Sequence, residues 1–168
     1  MNQWLIVSKK KIINISKGSY TTKLIVNNFM KDIVDSKSDL YIIAIGTNDI
    51  RYRDSSICAM NPKEYIKEIK KIVNFIPAQE AKIIFISPWF STEDDYVSKL
   101  NHLDKKRLMK QYSLELKSYT KRSQYVYIDP NEYLEKIIIK NKKKYMIDYI
   151  HPNNNYGIKL YCQSLFIN

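Results

Sequence analysis

The chain has three glycines, two histidines and two cysteines in 168 residues, and each scarcity removes a class of chemistry. Cys58 and Cys162 lie far apart without metal-ligand spacing, so they supply neither a thiolate site nor the disulfide framework of a small secreted scaffold. They read as a loop thiol and a half-buried helix thiol. His102 and His151 have no partnering cysteines, and His102 opens a polar helical window as a surface residue, so neither a metal nor a cofactor is expected. The N-terminal Trp4-Leu5-Ile6-Val7 stays apolar for four residues before Lys9-Lys10-Lys11. That is too short for a signal-peptide core or a membrane span, and the charges are on the wrong side. The expectation is a soluble, cytoplasmic chain with no export address.

Arginine is also scarce. The formal charge of +11 invites a nucleic-acid reading, since cations that neutralise phosphates supply most non-specific affinity. Yet 24 of the 28 basic residues are lysine, whereas base-edge and bidentate phosphate recognition favours arginine. The lysines are spread along every helical window with Glu64, Glu68, Glu115 and Glu135 among them, as on a solvated surface, so no specific nucleic acid is expected. One dense run, Lys140-Asn141-Lys142-Lys143-Lys144, directly precedes the His151 region. It has two readings, an attractor for an acidic substrate or a solvated loop.

What is present is a 45% hydrophobic, repeat-free sequence of a length that fits one domain over residues 1–168. Apolar runs of strand length alternate with amphipathic windows, which argues for βαβ units on a parallel sheet. Strands are expected at Lys11 to Ser16, Leu40 to Ile45, Lys82 to Ser87 and Tyr125 to Ile128. The second of these is apolar throughout, as in a strand covered on both faces. Helices are expected at Thr21 to Val34, from Asn61-Pro62 with Tyr65, Ile66, Ile69, Ile72, Val73 and Ile76 on one face, at about His102 to Lys121, at Asn131 to Lys140, and after Asn153.

With so few glycines, each is expected where a side chain is not tolerated. Gly18 follows Ile12-Ile13-Asn14-Ile15-Ser16 and precedes Thr21-Thr22; Gly46 opens Gly46-Thr47-Asn48-Asp49 after a strand; Gly157 lies in the helix beyond Asp148-Tyr149-Ile150-His151-Pro152. Each motif alone is an ordinary turn or helix start. Their conjunction, in this order and spacing, resembles the later signature blocks of the SGNH (GDSL-type) hydrolases, from about Trp4 to the C-terminus.

That resemblance implies a three-layer α/β/α, flavodoxin-like fold and acyl transfer from oxygen. It assigns oxyanion donors to the Gly18 backbone N–H and the Asn48 side-chain amide, a general base to His151, and an orienting carboxylate to Asp148. Asp49 braces the loop and Pro152 fixes the chain after the histidine. The family's opening Gly-Asp-Ser block is absent from the sequence. In such proteins the serine sits on a strand followed by a tryptophan-containing helix, of which Trp4-Leu5-Ile6 would be a remnant. The expectation is thus a chain beginning just after the catalytic strand. Three explanations stand side by side: a truncated enzyme, a pseudoenzyme, or Ser19 as nucleophile, although a serine before Thr21-Thr22 is more simply a helix cap. A missing strand would leave a sheet edge for a second copy to cover, so a homo-oligomer is a candidate state. The implied function is an esterase or O-acyltransferase acting on an acylated carbohydrate or small ester. Trp89, Phe90, Tyr52, Tyr96 and Tyr149 are candidates to line a sugar cleft. The alternative is a non-catalytic binding or scaffold protein that keeps the fold.

Overall fold

The structure is a computed structural model that describes residues 11–50, 60–77, 81–88, 102–148 and 150–167, without the side chains of residues 102 and 103. Trp4 to Ile6, Tyr52, Cys58, Trp89, Phe90, Tyr96 and Tyr149 lie outside the described residues.

The order is α1 (Thr22–Asn28), α2 (Met30–Ser36), β1 (Leu40–Ala44), α3 (Pro62–Asn74), β2 (Lys82–Ile86), α4 (His102–Ser123), β3 (Val126–Ile128), α5 (Asn131–Ile138), a 3-10 turn (Ile139–Asn141), α6 (Lys142–Tyr145) and α7 (Gly157–Ser164). The three strands form a parallel sheet in the order β1-β2-β3, with Ile42 opposite Ile84 and Ile84 opposite Val126. This is an α/β fold with helices flanking a parallel sheet, as the alternating pattern predicts.

Local chemistry sets the helix limits. Asn61 accepts from the Lys63 N–H and Pro62 occupies the first turn of α3, where its missing N–H costs nothing. The periodic residues Tyr65, Ile66, Ile69, Ile72 and Val73 are buried against Tyr41, Ile83, Phe85, Tyr112 and Leu116 in the main core. A second cluster of Leu134, Ile138, Met146 and Leu160 joins α5 and α7. Among the described residues no helix is long and apolar enough to cross a membrane.

Four expectations need correction. Residues 11–17 form no strand, and Ile12 is 86% exposed. Apolar composition does not by itself make a strand, and among the described residues no neighbouring ladder takes up these backbone groups. The first helix breaks at Phe29, just beyond Asn27-Asn28, whose side chains compete with helical backbone bonds. β1 is not covered on both sides: the core lies on its Tyr41 face, and Ile42 is 62% exposed. The lysine run is no loop, since the 3-10 turn runs into α6, capped where Asn141 accepts from the Lys144 N–H. In addition, Cys162 is exposed, not half-buried.

Candidate active site

Parallel strands deliver the loops that follow them to one side of the sheet. The loop after β1 begins at Gly46, with φ +126. A Cβ there would fall 2.8 Å from the Pro88 ring and 3.0 Å from the Tyr65 ring, so the position needs glycine twice over. Tyr65 also donates its hydroxyl to the Ile45 carbonyl at 3.0 Å, and the Asp49 N–H donates to the Gly46 carbonyl at 3.1 Å. Burial first, and the Asp49 carboxylate second, push the phenols of Tyr65 and Tyr112 well above their ordinary pKa, so both remain donors.

Asp49 is 3% exposed. Its carboxylate accepts the Thr22 N–H at 3.0 and 3.2 Å and the Thr22 hydroxyl at 2.5 Å. It therefore stands at the N-terminus of α1, where unpaired N–H groups and the helix dipole favour negative charge. One residue earlier, the Asn48 side-chain nitrogen donates to the Tyr20 carbonyl at 3.1 Å, which ties this loop to the Gly18–Tyr20 turn. An amide nitrogen carries two protons, and the bond to Tyr20 fixes the plane in which the second lies.

Gly18 itself differs from expectation. A Cβ would meet nothing within 4 Å, and the left-handed conformation belongs to the next residue, Ser19, at φ +68. Nor is Ser19 the helix cap: Thr21 accepts from the Leu24 N–H at 3.3 Å.

The second half of the site is a short turn. One Asp148 oxygen accepts the N–H groups of Ile150 at 2.8 Å and His151 at 2.7 Å, and the other lies 2.8 Å from His151 Nδ1. Partial burial pushes the Asp148 carboxyl up, but the imidazole and the two N–H donors outweigh it and hold the group below its ordinary value. Both side chains reach solvent, His151 at 68% and Asp148 at 41% exposure. The turn is stitched beneath by the Ile147 N–H on the His151 carbonyl and the Asn153 N–H on the Tyr145 carbonyl, each 2.8 Å. Asn153 also accepts from the Tyr156 and Gly157 N–H groups and so starts α7. At Gly157 a Cβ would lie 2.0 Å from the Tyr145 carbonyl oxygen, so only glycine lets α7 approach.

The structure thus brings Asn48 to the Gly18 turn and Asp148 to His151. Among the described residues, no hydrogen bond or ion pair joins the two pairs. Sequence reasoning missed Thr22 and Tyr65, and it missed the tie between the ends of β2 and β3. There Ser87 donates to Asp129 at 2.7 Å, and Asn131 donates to the Ser87 hydroxyl at 2.8 Å and the Pro88 carbonyl at 2.9 Å. The sequence signal for that cluster is Asp129-Pro130, a turn pair between the Tyr125 to Ile128 strand and the helix at Asn131. A surface groove of about 380 Å³ between Asn61 and Ser118 shares no residue with either half.

Comparison with known proteins adds family evidence. The model of the GDSL-like Lipase/Acylhydrolase family matches residues 3–155. No curated protein matches at the level of sequence. An acetylxylan esterase from Geobacillus stearothermophilus superposes with a TM-score of 0.67 at 17% identity, covering 89% of this chain and 69% of that one. Solved catalytic mutants of that enzyme replace a serine, an aspartate, and a histidine three positions after the aspartate. A GDSL-like lipase from Bacteroides thetaiotaomicron superposes with a TM-score of 0.66 at 17% identity, covering 88% of this chain and 69% of that one. At such identities the likeness concerns the fold.

Proposed function

Because the chain belongs to the GDSL-like lipase/acylhydrolase family, we propose that it hydrolyses or transfers an acyl group, acetyl foremost, on a carbohydrate or small ester. The observation that carries this reading is the 2.8 Å contact between Asp148 and His151 Nδ1 within Asp-x-x-His-Pro. A carboxylate on Nδ1 fixes the tautomer that leaves Nε2 as the base, and it stabilises the imidazolium formed when a hydroxyl loses its proton. The same aspartate-to-histidine spacing in the catalytic mutants of the acetylxylan esterase supports it. Asn48, with the Gly18 N–H, supplies donors for the oxyanion; each such donor is worth about 3 kcal/mol in the transition state.

A non-catalytic reading also has an observation behind it. No Gly-Asp-Ser occurs in the 168 residues. Ser19, at φ +68 beside Gly18, is then the serine to test. The experiment is intact mass after treatment with a serine-directed fluorophosphonate, on the chain as it stands, on Ser19→Ala, and on a version extended upstream by a strand ending in Gly-Asp-Ser. The expected result is labelling of the extended version alone, with Asn48→Ala lowering its kcat on an activated acetyl ester about a hundredfold, well beyond the ~1 kcal/mol of stability expected from losing its bond to the Tyr20 carbonyl. Labelling of the unextended chain that vanishes in Ser19→Ala would make Ser19 the nucleophile. An extended, folded version that neither labels nor turns over would leave the binding-protein reading.

A further inference from the structure

The lysines of this protein fall into two populations. On α3, α4 and α5 the lysines are interspersed with acidic residues and three of them pair: Lys71 with Glu68, Lys106 with Glu135, Lys136 with Glu132. From residue 139 to 167 there are five lysines, at 140, 142, 143, 144 and 159, against a single acidic residue, Asp148, which is engaged with His151. Among the described residues no carboxylate pairs with Lys140, Lys143 or Lys144.

Two further features give this charge a fixed place. The Lys144 ammonium sits 5.3 Å from the ring centroids of both Tyr145 and Tyr156, within range of the attraction between a cation and an aromatic face. Tyr156 is nevertheless 55% exposed. In addition, the Asn153 side chain donates to the Lys144 carbonyl at 2.7 Å, and the Asn153 N–H donates to the Tyr145 carbonyl, so α6 is bound to the turn that carries His151. Lys144 stands three residues from Ile147, whose N–H bonds the His151 carbonyl. At ~3.4 Å per residue that separation is at most about 10 Å. It is comparable to the screening length at physiological salt, so the α6 cations contribute to the potential around the turn that carries His151.

We propose that Lys143 and Lys144 of α6, with Tyr156, form an acid-recognising subsite beside His151, and that the substrate is an acylated carbohydrate carrying anionic groups. The tyrosine ring offers a flat face to a sugar, and the lysines act as point charges for its carboxylate or phosphate. This rests on the acyl-ester reading of the His151 site and narrows its substrate.

The test is calorimetric titration of the full chain with three probes: a partially acetylated oligogalacturonate, a neutral acetylated xylooligosaccharide and a phosphorylated oligosaccharide. His151 imidazole NMR signals are followed in parallel. At least one acidic probe is expected to bind about tenfold more tightly than the neutral one. Lys143→Gln/Lys144→Gln should abolish that advantage, while Lys110→Gln/Lys117→Gln on α4 keeps it. Lys140→Gln/Lys143→Gln, which touches no ring, serves if loss of Lys144 disturbs the fold, and should reduce the advantage. The relative affinity of the two acidic probes tells carboxylate from phosphate. Equal affinity for neutral and acidic sugars, equal loss in the α4 control, or a DNA duplex that binds as tightly as the acidic sugar would overturn the subsite. If the neutral acetylated probe moves the His151 signals without any acidic preference, the subsite fails and the acyl-ester reading stands. If no acetylated probe moves them, the acyl-ester reading fails.

Discussion

Asp49 and Asp148 both hold backbone N–H groups next to a candidate site residue, yet one is 3% exposed and the other keeps 41% of its side chain in solvent. Asp49 reaches Thr22, 27 positions back, at the start of α1, and its charge acts on the buried phenols of Tyr65 and Tyr112. Among the described residues Asp148 bonds Ile150 and His151, two and three positions on. The first loop is therefore placed by the tertiary core, whereas the second is a local turn held by residues within about one helical turn of it in sequence. Position at Asn48 depends on global stability, and position at His151 depends on a few neighbours.

The contrast can be broken most directly at glycine. Gly46→Ala combines a left-handed backbone with overlap on Pro88 and Tyr65, and should cost about 3 kcal/mol in chemical denaturation. Gly18→Ala, where a Cβ meets open space, should stay within ~0.5 kcal/mol. A small loss at Gly46 would mean that the loop gives way and that the core does not set it.

A milder test exchanges the carboxylates. Asp49→Ala strands the buried Thr22 N–H and hydroxyl and should cost about 2 kcal/mol. Asp148→Asn, in a solvent-screened turn, should cost less than about 1 kcal/mol. Equal losses would erase the distinction between the two regions.

The smallest expected effects are in the pH dependence, and they differ in sign. Burial raises the Tyr65 and Tyr112 pKa values, so the unfolded chain ionises first as pH rises above the ordinary phenol value of 10. Their contribution is complete below that pH and is lost above it; Tyr65→Phe/Tyr112→Phe should flatten the alkaline limb of the stability profile. The Asp148 pKa is lowered from 3.8, so its contribution is present above that value and is lost as pH falls through the lower, folded one. Denaturation curves between mildly acidic and strongly acidic pH should show a shallow slope that Asp148→Asn removes.

The same division explains what could be read in advance. Asp148 with His151, and Asn61 with Pro62, are legible because each signal and its partner lie within a few residues. The parallel sheet was legible from the alternation of apolar runs with helical faces. The Asp49 to Thr22 clamp was not, since neither the 27-residue separation nor the burial of that carboxylate is written in the local pattern. Glycine is required at Gly46 and Gly157, where tertiary neighbours crowd the backbone, and not at Gly18, where the turn puts its demand on Ser19. Lys11 to Ser16 carries a strand composition with no ladder beside it among the described residues, and pairing partners are a property of the fold.

The bonds from Asn48 to Tyr20 and from Asp49 to Thr22 leave adjacent residues of one loop and end on either side of the same helix start. Opening α1 and displacing the Asn48 amide are thereby one cooperative event. The fraction of molecules with a competent amide cannot exceed the fraction in which the start of this seven-residue helix is closed, so fraying at α1 sets an upper limit on occupancy of the competent state.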